Sequence, residues 1–134
     1  MASEHAQHSN VSSKDDVTAA SSLRSAIDLP AHCIADFCLI PLGTASASVS
    51  KEVAEVQRIL KKSGLNFSMH SAGTTIEGSW DQCMAVIGQC HALLHQKGVV
   101  RIQSDIRVGT RTDKTQTFAM KVKAVEDLLA NDAT

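Results

Sequence analysis

Three groups of side chains in this 134-residue chain have types and spacings that can do chemistry. The first centres on Glu77, in "GTTIEGSW" (73–80). Alternation sends Ile76 into a core, so Thr75 and Glu77 point the other way and a short strand presents a carboxylate on its far face. His70 alternates with Met69 and falls on Glu77's side, and a His–Glu pair can move a proton. No nucleophile or metal set accompanies the pair, so a hydrogen-bonded structural histidine is the stronger reading. The second group is "RVGTRTDK" (107–114), which gathers Arg107, Arg111 and Lys114 around Gly109. Guanidinium forks match phosphate or sulfate, although the spacing is not that of a P-loop. Pairing of Arg111 with Asp113 at a subunit contact suits the same residues equally well, and both readings stand. "GTASASVS" (43–50) is a hydroxyl-rich loop ahead of a helix start, where an anion can sit or where serine supplies capping alone. The third group is His91 and His95, at a helical spacing able to bring two imidazoles to one metal. Ala92 follows His91, so the metalloprotease pattern is missing. Cys90 points about 100° away on the helix. A structural or interface role is expected for the two histidines, with no metal and no cofactor.

Length and composition set the frame for these groups. One small domain is expected, with an aliphatic core, because the chain holds no Tyr, one Trp and three Phe. A net charge of −1 gives no basic footprint for nucleic acid. No run of about 18 apolar residues is present to span a membrane. The four cysteines form no C-x-x-C pair. Cys83 and Cys90 share a helix face but stand about two turns apart, roughly 10 Å, too far for a disulfide. Reduced, buried thiols and a cytoplasmic location are expected, since no secretory leader is visible.

Composition changes near residue 33. Residues 1–32 are rich in Ser, Ala, His and Asp and read as a flexible tail, with a short helix possible at "SSLRSAIDL". The domain is read as 33–134. "CIADFCLIPL" (33–42) is a strand closed by Pro41 and Gly43. "SKEVAEVQRILKKSG" (50–64) is a helix with Val53, Val56 and Leu60 on one stripe and a lysine-then-glycine ending. "NFSMHS" and "TTIEG" form a hairpin. Ser79 and Gln82 make a capping-box pattern at the head of a helix ending in "HQKG", whose stripe is Trp80, Met84, Ile87 and Leu94 with Cys83 and Cys90 alongside. "VVRIQSDIRVGTRT" (99–112) is an alternating strand. A last helix runs from Phe118 to Leu129, with Phe118, Val122, Val125 and Leu129 on one face. The order β-α-β-β-α-β plus a helix is the split βαβ arrangement: an α+β, ferredoxin-like two-layer sandwich with an additional C-terminal helix.

The last strand assigns the two sheet faces. Val100, Ile102, Ile106 and Val108 go under the helices. Arg101, Gln103, Asp105 and Arg107 go to the uncovered face, with Thr75 and Glu77. Asp36 joins them if Phe37 and Leu39 face the helices; the first strand is apolar on both sides and leaves that parity open. The mixed-charge face is either a solvated surface with weak ion pairs or a ligand or subunit interface.

Taken in order, "ADFCLIPLGT", "SVSKEVAE", "KKSGLNFSMHSAGTTIEG", "WDQCMAVI", "HALLHQKGVVRIQSDIRVGTRTDK" and "KVKAVED" resemble the thiamine-binding-domain family of small ferredoxin-like proteins, over about residues 34–130. The resemblance implies self-association to a dimer or tetramer and a site for thiamine or its hydroxymethylpyrimidine half near subunit contacts. It implies ligand-binding positions at Ser48, Ser50, Thr74, Glu77, Arg107 and Arg111, with the Pro41–Gly43 turn nearby; His70 joins them as a candidate from its place on Glu77's side of the hairpin. Glu77 can accept from the pyrimidine amino group or balance the thiazolium cation, while hydroxyls of Ser48 or Thr74 complete the pattern. An intracellular carrier or sensor without catalysis is the leading expectation, with no nucleic-acid or membrane partner. The alternatives are a structural or regulatory homo-oligomer and a small enzyme using His70 and Glu77 on a pyrimidine-type ligand. RRM-like nucleic-acid binding fails for want of stacking aromatics on the last strand.

Overall fold

The computed structural model describes residues 14–132. The chain runs α1 (Lys14–Ala26), β1 (Cys33–Leu42), α2 (Ser50–Ser63), β2 (Asn66–His70), β3 (Gly73–Gly78), α3 (Trp80–Gln96), β4 (Arg101–Gly109) and α4 (Phe118–Asn131). From β1 onward this is the expected order. The helix in the N-terminal segment begins earlier than "SSLRSAIDL" predicted, and none of its described side chains is buried. The first part of the expected tail, 1–13, lies outside the described residues. Contact with the domain begins just before the expected boundary, where the Trp80 N–H donates to the Pro30 carbonyl at 3.1 Å.

The strands form one antiparallel sheet in the order β2-β3-β1-β4. β1 is central and alternates strictly. Cys33, Ala35, Phe37 and Leu39 are buried under α2 and α3, while Ile34, Asp36, Cys38 and Ile40 face the other way and are partly covered. The structure thus settles the parity of β1 and places Asp36 on the uncovered face. Facing pairs Ala35–Ile76 and Ala35–Val108 hold the register on the helix side. A one-residue slip would send this whole apolar set to the wrong face.

The core is aliphatic and sulfur-rich. Val56 and Leu60 of α2 meet Cys83, Val86, Ile87, Cys90 and Leu94 of α3 above the sheet. The buried stripe of α3 therefore passes through its cysteines rather than beside them, and Trp80 and Met84 lie at its partly covered margin. Apolar surroundings disfavour a thiolate. Burial, with lesser contributions from neighbouring Cys33 and Glu77, pushes the Cys83 thiol up to about 12, and burial pushes Cys90 to about 11. Both helix boundaries follow their local chemistry. Gly64 closes α2 at φ 75, in the left-handed region. At the start of α3 the Gln82 N–H donates to Ser79 Oγ and the Ser79 N–H donates to Gln82 Oε1, each at 3.2 Å.

Gly73 opens β3 because no side chain fits there. A Cβ would stand 2.7 Å from the Phe37 carbonyl oxygen, so hairpin and central strand come together only at a glycine. α4 differs from the other helices of the domain. Its apolar stripe is present as expected, yet no residue of it is buried, with Val125 56% and Leu129 62% exposed.

Candidate functional site

Two clefts share the β2–β3 hairpin, one on each face of the sheet. The first, about 210 Å³, lies on the helix side between the start of α2, the second half of β1 and the hairpin turn. Its wall is mainly apolar, from Phe37, Leu39, Pro41, Val49, Val53 and Val56. Gln57, Thr74 and His70 add polar groups. Thr74 is 3% exposed, and its Oγ1 accepts from Gln57 Nε2 at 3.0 Å. An amide carries two N–H groups and a carbonyl. After binding Thr74, Gln57 therefore has a second N–H and its carbonyl to offer. Few polar groups on an apolar wall is the usual composition of a small-molecule site.

The second cleft, about 520 Å³ and more open, lies on the other face between the strands and the first turn of α4. Asp36, His70 and Thr75 line it with Arg107 and Lys121. Asp36 stands opposite Thr75 on one side and Arg107 on the other. Its Oδ1 accepts from Thr75 Oγ1 at 3.2 Å and is 2.6 Å from His70 Nε2. The Ala72 N–H donates to His70 Nδ1 at 3.2 Å. With Nδ1 accepting, Nε2 carries the hydrogen that goes to Asp36. His70 lines both clefts and is the residue they have in common.

Glu77 lines neither cleft. It is on the uncovered face, as alternation required, but only 6% exposed. Asn66 Nδ2 donates to its Oε1 at 2.5 Å, and the Phe118 N–H at the start of α4 donates to its Oε2 at 3.0 Å. His32 Nε2 approaches Oε2 to 3.7 Å. A carboxylate against a helix N-terminus is favourable to both partners. Glu77 thus ties the C-terminal helix to the sheet. The His70–Glu77 pair, the weaker of the two readings of His70, does not form: both residues are on one face, but His70 turns to Asp36 and Glu77 to Asn66 and Phe118.

The remaining predicted residues separate. Thr74 and His70 reach the helix-side cleft and Arg107 the open-face cleft. Ser48 and Ser50 flank Val49 at the start of α2, outside the cleft lining, with their hydroxyls 3.0 Å apart and the Ser50 N–H donating to Ser48 Oγ. Arg111 sits in a neighbouring cleft, where it donates to both carboxylate oxygens of Asp113 and to Gln116 Oε1. Hydrogen bonding from Arg111 holds the Asp113 carboxyl down at about 2. Gln57 and Asp36 are the site residues the sequence reading missed or left open. Gln57 gave one signal, a polar residue next to Val56 at the edge of an otherwise apolar stripe.

His91 and His95 touch edge to face, ring centroids 6.4 Å apart. His91 Nε2 shares a 2.6 Å hydrogen bond with Ser104 Oγ, and His95 Nδ1 donates to the Val99 carbonyl at 2.8 Å. Among the described residues no group of three metal-ligating side chains converges, and no helix is long and apolar enough to cross a membrane.

Residues 35–126 match the family described as thiamine-binding protein. The chain is 49% identical over 100 residues to the UPF0045 protein ECM15 of Eremothecium gossypii, covering 75% of this chain and 95% of that one. It is 47% identical over 100 residues to the UPF0045 protein sll0230 of Synechocystis, covering 75% and 82%. The crystal structure of the hypothetical protein MJ1052 from Methanocaldococcus jannaschii superposes with a TM-score of 0.66 at 31% identity, covering 72% of this chain and 97% of that one. A Thermotoga maritima protein, TM0486, proposed to act in thiamine biosynthesis or salvage, shares the fold with a TM-score of 0.61 at 14% identity, covering 70% and 98%.

Proposed function

The chain belongs to the thiamine-binding protein family, and on that premise we propose that it binds thiamine or its hydroxymethylpyrimidine half in the helix-side cleft, as a carrier or sensor that leaves its ligand unchanged. The observation that carries this reading is the Gln57–Thr74 pair set in an apolar wall. A 4-aminopyrimidine edge offers an amino donor beside a ring-nitrogen acceptor. The Gln57 carbonyl and its second N–H are complementary to that edge. Thr74 fixes the amide's orientation, and the partly exposed Val49 and Val53 supply apolar surface for the ring. The thiamine role proposed for the Thermotoga relative points the same way.

Self-association belongs to the same proposal. The exposed stripe of Val122, Val125 and Leu129 on α4 suits burial against a second copy, because contiguous exposed apolar patches of this kind mark interaction sites. Dimer and tetramer are both compatible with one such stripe per chain.

Calorimetric titration with thiamine and with hydroxymethylpyrimidine tests the reading. Binding at micromolar concentrations is expected, with Gln57→Leu weakening it by at least about tenfold. Absence of heat with both ligands, or unchanged affinity in Gln57→Leu, refutes it. Mass spectrometry of the recovered ligand separates binding from turnover.

A further inference from the structure

We propose that the open-face cleft is an oxyanion site that takes a phosphomonoester, with Arg107 and Lys121 as its ligands. Among the residues lining it, the cations Arg107 and Lys121 face a single carboxylate, Asp36. The Asp36 oxygen that interacts is already engaged by His70 and Thr75. Among the described residues Arg107 and Lys121 take part in no ion pair, whereas Arg111 next door is paired with Asp113 and also donates to Gln116. Two cations from separate elements, β4 and the first turn of α4, share the cleft with one carboxylate, which leaves it net positive and favourable to an anion. The ladder holds Arg107 opposite Asp36, and the Glu77 bond to Phe118 holds the start of α4, and with it Lys121, above the strands. A guanidinium fork and an ammonium together match a phosphate's several oxygens.

His70 lines this cleft and the helix-side cleft alike. The phosphate's source is assigned to the ring ligand: a phosphate ester of thiamine or of its pyrimidine alcohol, with its ring in the helix-side cleft, would pass round the end of the hairpin at His70 to set its oxyanion on the open face. This half of the proposal rests on the thiamine reading given above. Free inorganic phosphate is the other source of the same chemistry.

The test uses the full chain, wild type against Arg107→Gln, Lys121→Gln and the double variant, with melting temperatures of the free proteins confirming that each folds. Each is titrated with thiamine, thiamine monophosphate and inorganic phosphate. Thiamine monophosphate is expected to bind at least about tenfold more tightly than thiamine. The double variant is expected to lose that gain and to keep its affinity for thiamine. If inorganic phosphate alone also raises the melting temperature, in wild type and not in the double variant, the site takes free phosphate and still stands. If no thiamine compound binds while inorganic phosphate does, again in wild type only, the ring-cleft reading fails and the oxyanion site survives it. Equal affinity for thiamine and its monophosphate in wild type, with no phosphate effect that the variants remove, overturns the proposal.

Discussion

Removing the Glu77 carboxylate is the perturbation that most directly separates a ligand contact from an anchor. In Glu77→Ala the Asn66 amide and the Phe118 N–H both lose their acceptor. Hydrogen bonds to a charged group contribute about 1.5–3 kcal/mol each, and a carboxylate at a helix N-terminus about 0.3–1 kcal/mol more. Asn66 is exposed and water reaches it after the truncation, so the upper end of that sum is not realised. A net loss of about 2–4 kcal/mol follows. For a domain of this size each kcal/mol corresponds to roughly 3–5 °C, so the melting temperature should fall by about 6–20 °C. Glu77→Gln keeps the volume and one acceptor oxygen but turns an amide N–H toward a donor, and should lose about half as much. Urea unfolding followed by the fluorescence of Trp80, the chain's one tryptophan and packed at the core margin, gives the stability, at one fixed protein concentration so that association does not shift it. Thiamine titration well below the melting temperature gives the affinity. The anchoring argument requires a large loss of stability with thiamine affinity within about threefold of wild type. It is refuted if Glu77→Ala stays within about 0.5 kcal/mol of wild type, or if it abolishes thiamine binding at unchanged stability.

Three further outcomes follow from the packing. Gly73→Ala sets a Cβ 2.7 Å from the Phe37 carbonyl and should cost about 1–3 kcal/mol in urea unfolding, the usual penalty for overpacking. Alkaline pH should destabilise the fold. The Cys83 and Cys90 thiols sit at about 12 and about 11 against an ordinary 9.0; the unfolded chain therefore releases these protons first, and their contribution is complete below about pH 9 and is lost as pH rises toward 12. Stability measured from pH 8 to 11 should fall, and the fall should be shallower in Cys90→Ala. On α4, Val125→Asp with Leu129→Asp should leave the circular dichroism intact and, on the proposed self-association, lower the sedimentation coefficient; an unchanged coefficient refutes α4 as the self-association surface.

What the sequence made legible was whatever depends on local periodicity. The bounds of β1, the capping box of Ser79 and Gln82, the glycine stop at Gly64 and the facing of Ile102 and Val108 on β4 all follow from repeats of two or from residues a few positions apart. Val100, expected under the helices, instead precedes β4 and is 90% exposed, and Ile106 is 40% exposed on this edge strand, where alternation fixes a face but not its cover. The parity of β1 was not legible, because Ile34, Cys38 and Ile40 on its open side are as apolar as Cys33, Ala35, Phe37 and Leu39 on its helix side. Nor were the partners of Glu77. Alternation fixed its face, but Asn66 and Phe118 reach it from 11 and 41 residues away, and no local pattern predicts which distant N–H meets a carboxylate. Gln57 was hidden for the same reason: its meaning depends on Thr74, which is 17 residues further on.

The hairpin explains how one small sheet can serve two clefts. Along β3 successive residues point to opposite faces, and three of them act in three places. Thr74 turns to the helix side and fixes Gln57. Thr75 turns to the open side and holds Asp36. Glu77, two residues further on that open side, holds the start of α4 and with it Lys121 at the mouth of the second cleft. His70, at the end of β2, reaches both clefts and is fixed by Asp36 and by the Ala72 N–H of the turn. The close approach at Gly73 sets the register for all of them. A disturbance of that register should therefore reach ring recognition, the Asp36–His70 pair and the C-terminal helix at once, whereas a side-chain substitution at Gln57 or Arg107 should reach only one of them.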